Sequence, residues 1–125
     1  MKTLLFVAMG GAVGAMLRYG ISSGVYHWMG RAFPYGTLAV NILGSVLIGL
    51  LSILLVEKFN VSQDLRIMLV TGMLGALTTF STFSWDTLDL LQQGLINRAI
   101  LNVLLNVVLC LSAAWIGAQW AKAMV

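Results

Sequence analysis

The chain is 125 residues long, 60% hydrophobic and only 9% charged, with a formal net charge of +3. A soluble domain covers itself with far more charge, about 25% of its residues, so a water-exposed globule is excluded. The basic side chains are scattered, which gives nucleic-acid binding no support, and the single cysteine, Cys110, rules out an intramolecular disulfide.

A helix crosses a hydrocarbon core with about 20 apolar residues. Four stretches meet that requirement, at residues 3–27, 36–56, 66–92 and 99–121. The expected fold is an all-α integral membrane protein, multi-pass, with residues 1–125 forming a single four-span domain. The loops between spans are too short to hold a separate catalytic unit.

The first span opens MKTLLFVAMG, with Lys2 before an apolar stretch in the manner of a signal peptide. The apolar character continues past Arg18, so the segment reads as the first transmembrane helix. Gly10 with Gly14 and Gly20 with Gly24 are spaced four apart, which permits close helix approach in lipid. Arg18 lies well inside the span, where a guanidinium is costly without an acceptor. Two readings stay open for it: a cation that snorkels or holds helix-end carbonyls, and an electropositive element that draws an anion to a vestibule.

Pro34 and Gly36 mark the turn into the second span. There Thr37, Asn41, Ser45 and Gly49 recur every four residues as one helical stripe. Asn41 is the sharpest member, because an amide in hydrocarbon must hydrogen-bond and carries two N–H donors. It serves either as glue between helices or as a pore donor.

Ser62, before Gln63 and Asp64, is placed to cap the third span. From Arg66 to Gln92 that span has 27 residues, about 40 Å of helix against a core of about 30 Å. A break near residues 75–79 would absorb the excess and create two half-helices, whose ends aim backbone dipoles at ions. Residues 71–87, TGMLGALTTFSTFSWDT, also carry seven hydroxyls and two phenylalanines, Phe80 and Phe83. Lipid cannot satisfy such a cluster, so it must line a cavity or pack against protein. The positive edges of the two rings, interleaved with Ser81, Thr82 and Ser84, suit a partly dehydrated small anion.

In the fourth span Asn102, Asn106 and Cys110 again recur every four residues, with Ala114 and Gly117 near the same face. Neither polar stripe contains an acid. Asp86, Asp89 and His27 are not gathered with other ligands, so metal and hydrolytic chemistry have no basis and no enzyme is expected.

Four spans put both termini on one side. Lys2, Lys58, Arg66 and Lys122 flank that side and Arg31 and Arg98 the other, a bias of four to two toward cytoplasmic termini. So weak a bias allows insertion in both orientations and pairing with an inverted copy; the simpler alternative is one fixed orientation.

Three motifs in this order, GGAVGAMLRYG at 10–20, GTLAVNILGS at 36–45 and GMLGALTTFSTFS at 72–84, closely resemble the Fluc (CrcB) fluoride channels. The resemblance spans essentially the whole chain. It implies an antiparallel, dual-topology homodimer in the cell (inner) membrane, with two fluoride pores and a central structural sodium ion, exporting fluoride passively. On that resemblance Asn41, Phe80, Phe83, Ser81, Thr82 and Ser84 are fluoride-pore residues, Arg18 belongs to the pore vestibule, and Gly75 and Thr78 offer backbone carbonyls to sodium. Thr37, Asn102 and Asn106 fall on a polar track, where some family members carry tyrosine or serine in the fourth span. A small multidrug-type four-helix transporter is the nearest alternative, but it needs a membrane-embedded glutamate in the first span, which here carries Arg18 and no acid.

Overall fold

The computed structural model describes residues 1–125 and contains helices but no strand. Helix α1 (Lys2–Met29) ends at Gly30, whose φ of 82° is a left-handed conformation that glycine adopts at least cost. Pro34 precedes α2 (Tyr35–Ile53), where its missing N–H removes a donor that has no intrahelical partner. The same helix continues through a widened turn, Leu54–Lys58, closed by a 2.9 Å bond from the Phe59 N–H to the Leu54 carbonyl.

The third span, Gln63–Gln92, starts at the expected cap: Ser62 Oγ accepts the Leu65 N–H at 3.3 Å. Its first half, α3 (residues 63–77), is wound with wide π-helical turns over Met68–Leu74. Thr78 (φ −85°, ψ 156°) and Thr79 (φ −150°, ψ 117°) are extended, and α4 (Phe80–Gln92) follows. The break expected near residues 75–79 is therefore present, at its C-terminal edge. Gly94 (φ 78°) turns the chain into α5 (Ile96–Met124). The third span ends at Gln92 as expected, and every other span end lies a few residues outside its expected position, because polar residues such as Lys2, Gln63 and Lys122 continue the helices beyond the apolar core.

Glycines set how the helices meet. A Cβ on Gly49 would collide with the Ala114 carbonyl, and one on Gly117 with the Val46 carbonyl, so α2 and α5 touch backbone to backbone. Asn41 bonds Asn106 further along the same seam, which shows the two helices running parallel. Gly10 and Gly14 of α1 press likewise on the carbonyls of Met68 and Met73 in α3. The two polar stripes read from the sequence thus lie against each other. At one end of the bundle Lys2 pairs with Asp64 at 3.6 Å, and at the other Arg98 Nη1 donates to the Ala32 carbonyl at 3.2 Å.

Only 22 of 125 residues are buried within the chain, while leucine, isoleucine, valine and tryptophan side chains cover its outside. All four spans are long and apolar enough to cross a membrane. This is a multi-pass membrane protein. Its apolar surface is solvated by lipid, so close packing and hydrogen bonds, rather than apolar burial, hold the helices together.

Gly49→Ala is expected to destabilise the fold by about 1–3 kcal/mol through overpacking, measured by reversible SDS unfolding. Gly20→Ala, whose new methyl meets no atom of another helix within 4 Å, is the control and should not be destabilised.

Candidate functional site

Breaking a helix inside a membrane strands backbone donors and acceptors that lipid cannot satisfy. In a continuous helix the Thr79 N–H would bond the Gly75 carbonyl. Here it donates to Asn41 Oδ1 at 2.8 Å, and Asn41 Nδ2 donates back to the Thr79 carbonyl at 3.2 Å. One side-chain amide from α2 thereby completes both polar groups of the extended residue. The Gly75 carbonyl loses its α-helical donor, and the Thr78 carbonyl accepts no hydrogen bond.

Arg18 Nε donates to the Ala76 carbonyl at 3.0 Å. Of the two readings left open for it, holding a helix-end carbonyl is thus realised. That is favourable at the C-terminal end of α3, where the helix dipole is negative. Thr79 also caps α4, its Oγ1 accepting the Thr82 N–H at 3.1 Å and lying 3.1 Å from Thr82 Oγ1 and 3.2 Å from Ser81 Oγ.

From the break a ladder of neutral groups runs toward the end of the bundle that carries Arg98. Asn41 Nδ2 donates to Asn106 Oδ1 at 3.1 Å. One helical turn on, Asn106 Nδ2 donates to the Asn102 carbonyl at 2.9 Å and to Asn102 Oδ1 at 3.0 Å. Asn102 Nδ2 donates in turn to Thr87 Oγ1 at 2.9 Å. Thr37, one turn before Asn41, donates to Asp86 Oδ2 at 2.7 Å and lies 3.4 Å from the Tyr26 hydroxyl. Asn102 and Asn106 are buried, and no buried side-chain polar atom lacks a partner.

Beside the ladder lies a groove of about 480 Å³, bounded among others by Asn41, Ser45, Gly75, Thr78, Phe83 and Cys110. Phe80 lines it too, 78% exposed, while Phe83 is 8% exposed. Their centroids are 5.2 Å apart at 57°, a tilted pair.

The structure brings Asn41, Asn106, Gly75, Thr78, Phe80 and Phe83 to one groove, with Asn102 and Thr37 a turn away. It ties up several hydroxyls that the sequence left free. Thr78, Ser84 and Thr87 donate to the carbonyls four residues back, Leu74, Phe80 and Phe83. Sequence reasoning gave no role to Tyr26, Thr79 or Asp86. The signal for Asp86 was present, since a carboxylate inside an apolar span needs donors. Nothing in the sequence distinguished Thr79 from Thr78.

These features define a class of small four-span membrane proteins whose third helix is interrupted and presents polar groups at membrane depth. Residues 5–118 match the family model described as CrcB-like protein, Camphor Resistance (CrcB), and the chain belongs to that family. It is 51% identical over 114 residues to the fluoride-specific ion channel FluC of Magnetococcus marinus, covering 91% of this chain and 93% of that protein. The FluC protein of Citrifermentans bemidjiense is 47% identical over 124 residues, covering 99% of this chain and 100% of the relative. The FluC protein of Methylococcus capsulatus is 49% identical over 120 residues, which are 96% of this chain but 53% of that longer protein.

Asn41→Ala leaves the Thr79 N–H and carbonyl without partners. Both groups are part-buried at membrane depth, where a stranded polar group costs about 1–3 kcal/mol, and SDS unfolding should register a loss in that range.

Proposed function

We propose that this chain is a fluoride-selective ion channel that carries fluoride passively out of the cytoplasm. The observation that carries the reading is the ladder from Thr79 through Asn41 and Asn106 to Asn102, a membrane-deep line of neutral donors beside a paired-phenylalanine groove. Fluoride is small, strongly hydrated and accepts only; stripping its water needs closely spaced donors, which amides, hydroxyls and aromatic edges supply without a fixed charge that would trap it. Family membership and relatives named fluoride-specific ion channels support the same assignment. A channel performs no covalent chemistry, so no residue is assigned as catalytic.

The working unit in this reading is an antiparallel homodimer with two pores. The exposure of Phe80 beside the groove supports a second copy there, because an aromatic surface that lines a path is incomplete while its outer side faces lipid. Asn41, Phe80, Phe83, Ser81, Thr82, Ser84, Thr37, Asn102 and Asn106 line the proposed path, and Arg18 stands at its vestibule. The Gly75 and Thr78 carbonyls fit a hard monovalent cation, since both are neutral oxygens deprived of helical donors. Sodium, when bound, would offset the negative dipole ends at the break. With two carbonyls per chain, the set fills only when an inverted copy adds its own.

Reconstitution into liposomes tests the reading. Fluoride efflux followed with an ion-selective electrode is expected to be fast and chloride efflux negligible; no fluoride flux, or equal chloride flux, would overturn it. Replacing Phe80 or Phe83 by isoleucine is expected to cut fluoride flux about threefold to tenfold, the worth of an aromatic edge contact, while the protein still assembles.

A further inference from the structure

The last carbonyls of any α-helix lack partners in a following turn, and α3 ends at membrane depth, where such oxygens must be met by other groups. Each is met differently. The Leu74 carbonyl accepts both donors of Thr78, the N–H at 3.1 Å and Oγ1 at 3.0 Å, and the Ala76 carbonyl accepts Arg18 Nε at 3.0 Å. The Thr79 N–H, which in a continuous helix would serve Gly75, goes to Asn41. One helix end thus offers Ala76 to a guanidinium and, in the reading above, Gly75 and Thr78 to a sodium ion.

Arg18 is half-buried and pairs with no carboxylate; the chain's one ion pair joins Lys2 to Asp64. The negative end of the α3 dipole offsets its charge. A bound cation draws on the same dipole end, and two cations sharing it repel one another more strongly than they would in water.

Resting on the sodium site of the fluoride-channel reading, we infer that Arg18 sets the affinity of that site: its charge stabilises the end of α3 and, by the same contact, weakens the hold on a sodium ion at the adjacent carbonyls. Arg18 is a positioning residue and not a ligand, because a guanidinium only donates. It acts through the helix end that it shares with the ion. An inverted copy brings its own Arg18 to the same ion, which adds to the effect.

Two substitutions separate the charge from the hydrogen bond. Arg18→Gln keeps the donor, since glutamine Nε2 stands as many bonds from Cα as arginine Nε, and removes the charge; Arg18→Lys keeps the charge. The measurement is thermal unfolding of the full-length chain, purified without sodium in detergent, as sodium chloride replaces N-methylglucamine chloride at constant ionic strength. Arg18→Gln is expected to have a lower Tm than the parent without sodium, and to reach half of its sodium-dependent stabilisation at about tenfold lower sodium. Arg18→Lys should stay within about twofold of the parent's half-stabilising sodium. A purely structural arginine would lower Tm equally at every sodium concentration. An unchanged or higher half-stabilising sodium in Arg18→Gln, an equal fall in Arg18→Lys, or a glutamine variant that folds at no sodium concentration overturns the inference. A parent chain whose unfolding ignores sodium refutes the cation site beneath it, whereas a responsive parent with unmoved variants refutes the inference alone.

Discussion

The exchange of two hydrogen bonds between Asn41 and Thr79 is the contact on which the rest of this structure depends. An interrupted helix is tolerable at membrane depth only if its stranded backbone groups find partners. A single amide supplies one donor and one acceptor in the right geometry, and its second N–H reaches Asn106. The break thus holds α3 and α4 to α2, and through Asn106 to α5. The same amide takes the Thr79 N–H from the Gly75 carbonyl, and the Thr79 hydroxyl takes the Thr82 N–H from the Thr78 carbonyl. What looks like one polar residue in an apolar helix joins the backbone irregularity to the ladder.

Packing makes that contact possible. α2 and α5 approach closely because Gly49 and Gly117 each rest on a backbone carbonyl of the other helix. Residues 41 and 106 lie on the same seam, where close helices bring two short amide side chains within 3.1 Å. Gly44 adds a further constraint, since a Cβ there would strike the Thr78 methyl and push the break away from Asn41. Small residues and amides are therefore one device, in which the glycines set the distance and the asparagines use it.

Much of this was legible in the chain. The apolar runs marked four spans, the surplus length and hydroxyl content of residues 71–87 marked the break, and four-residue spacing marked both polar stripes. The direction of each hydrogen bond was not legible, because it depends on which helices are neighbours and on whether they run parallel. Thr78 and Thr79 are identical and adjacent, yet one bonds back to the Leu74 carbonyl and the other is taken up by Asn41. Only the tertiary position of Asn41 separates them. Asp86 was set aside for want of metal ligands, whereas its place is as an acceptor for Thr37 on another helix.

The central claim is that a side chain, not water or the third helix itself, satisfies the Thr79 N–H. Hydrogen–deuterium exchange of the Thr79 backbone amide in lipid nanodiscs, compared between the parent chain and Asn41→Ala, measures this directly. The account predicts strong protection in the parent and rapid exchange in the variant, while amides within α5 stay protected in both. Equal Thr79 exchange in the two proteins would contradict it.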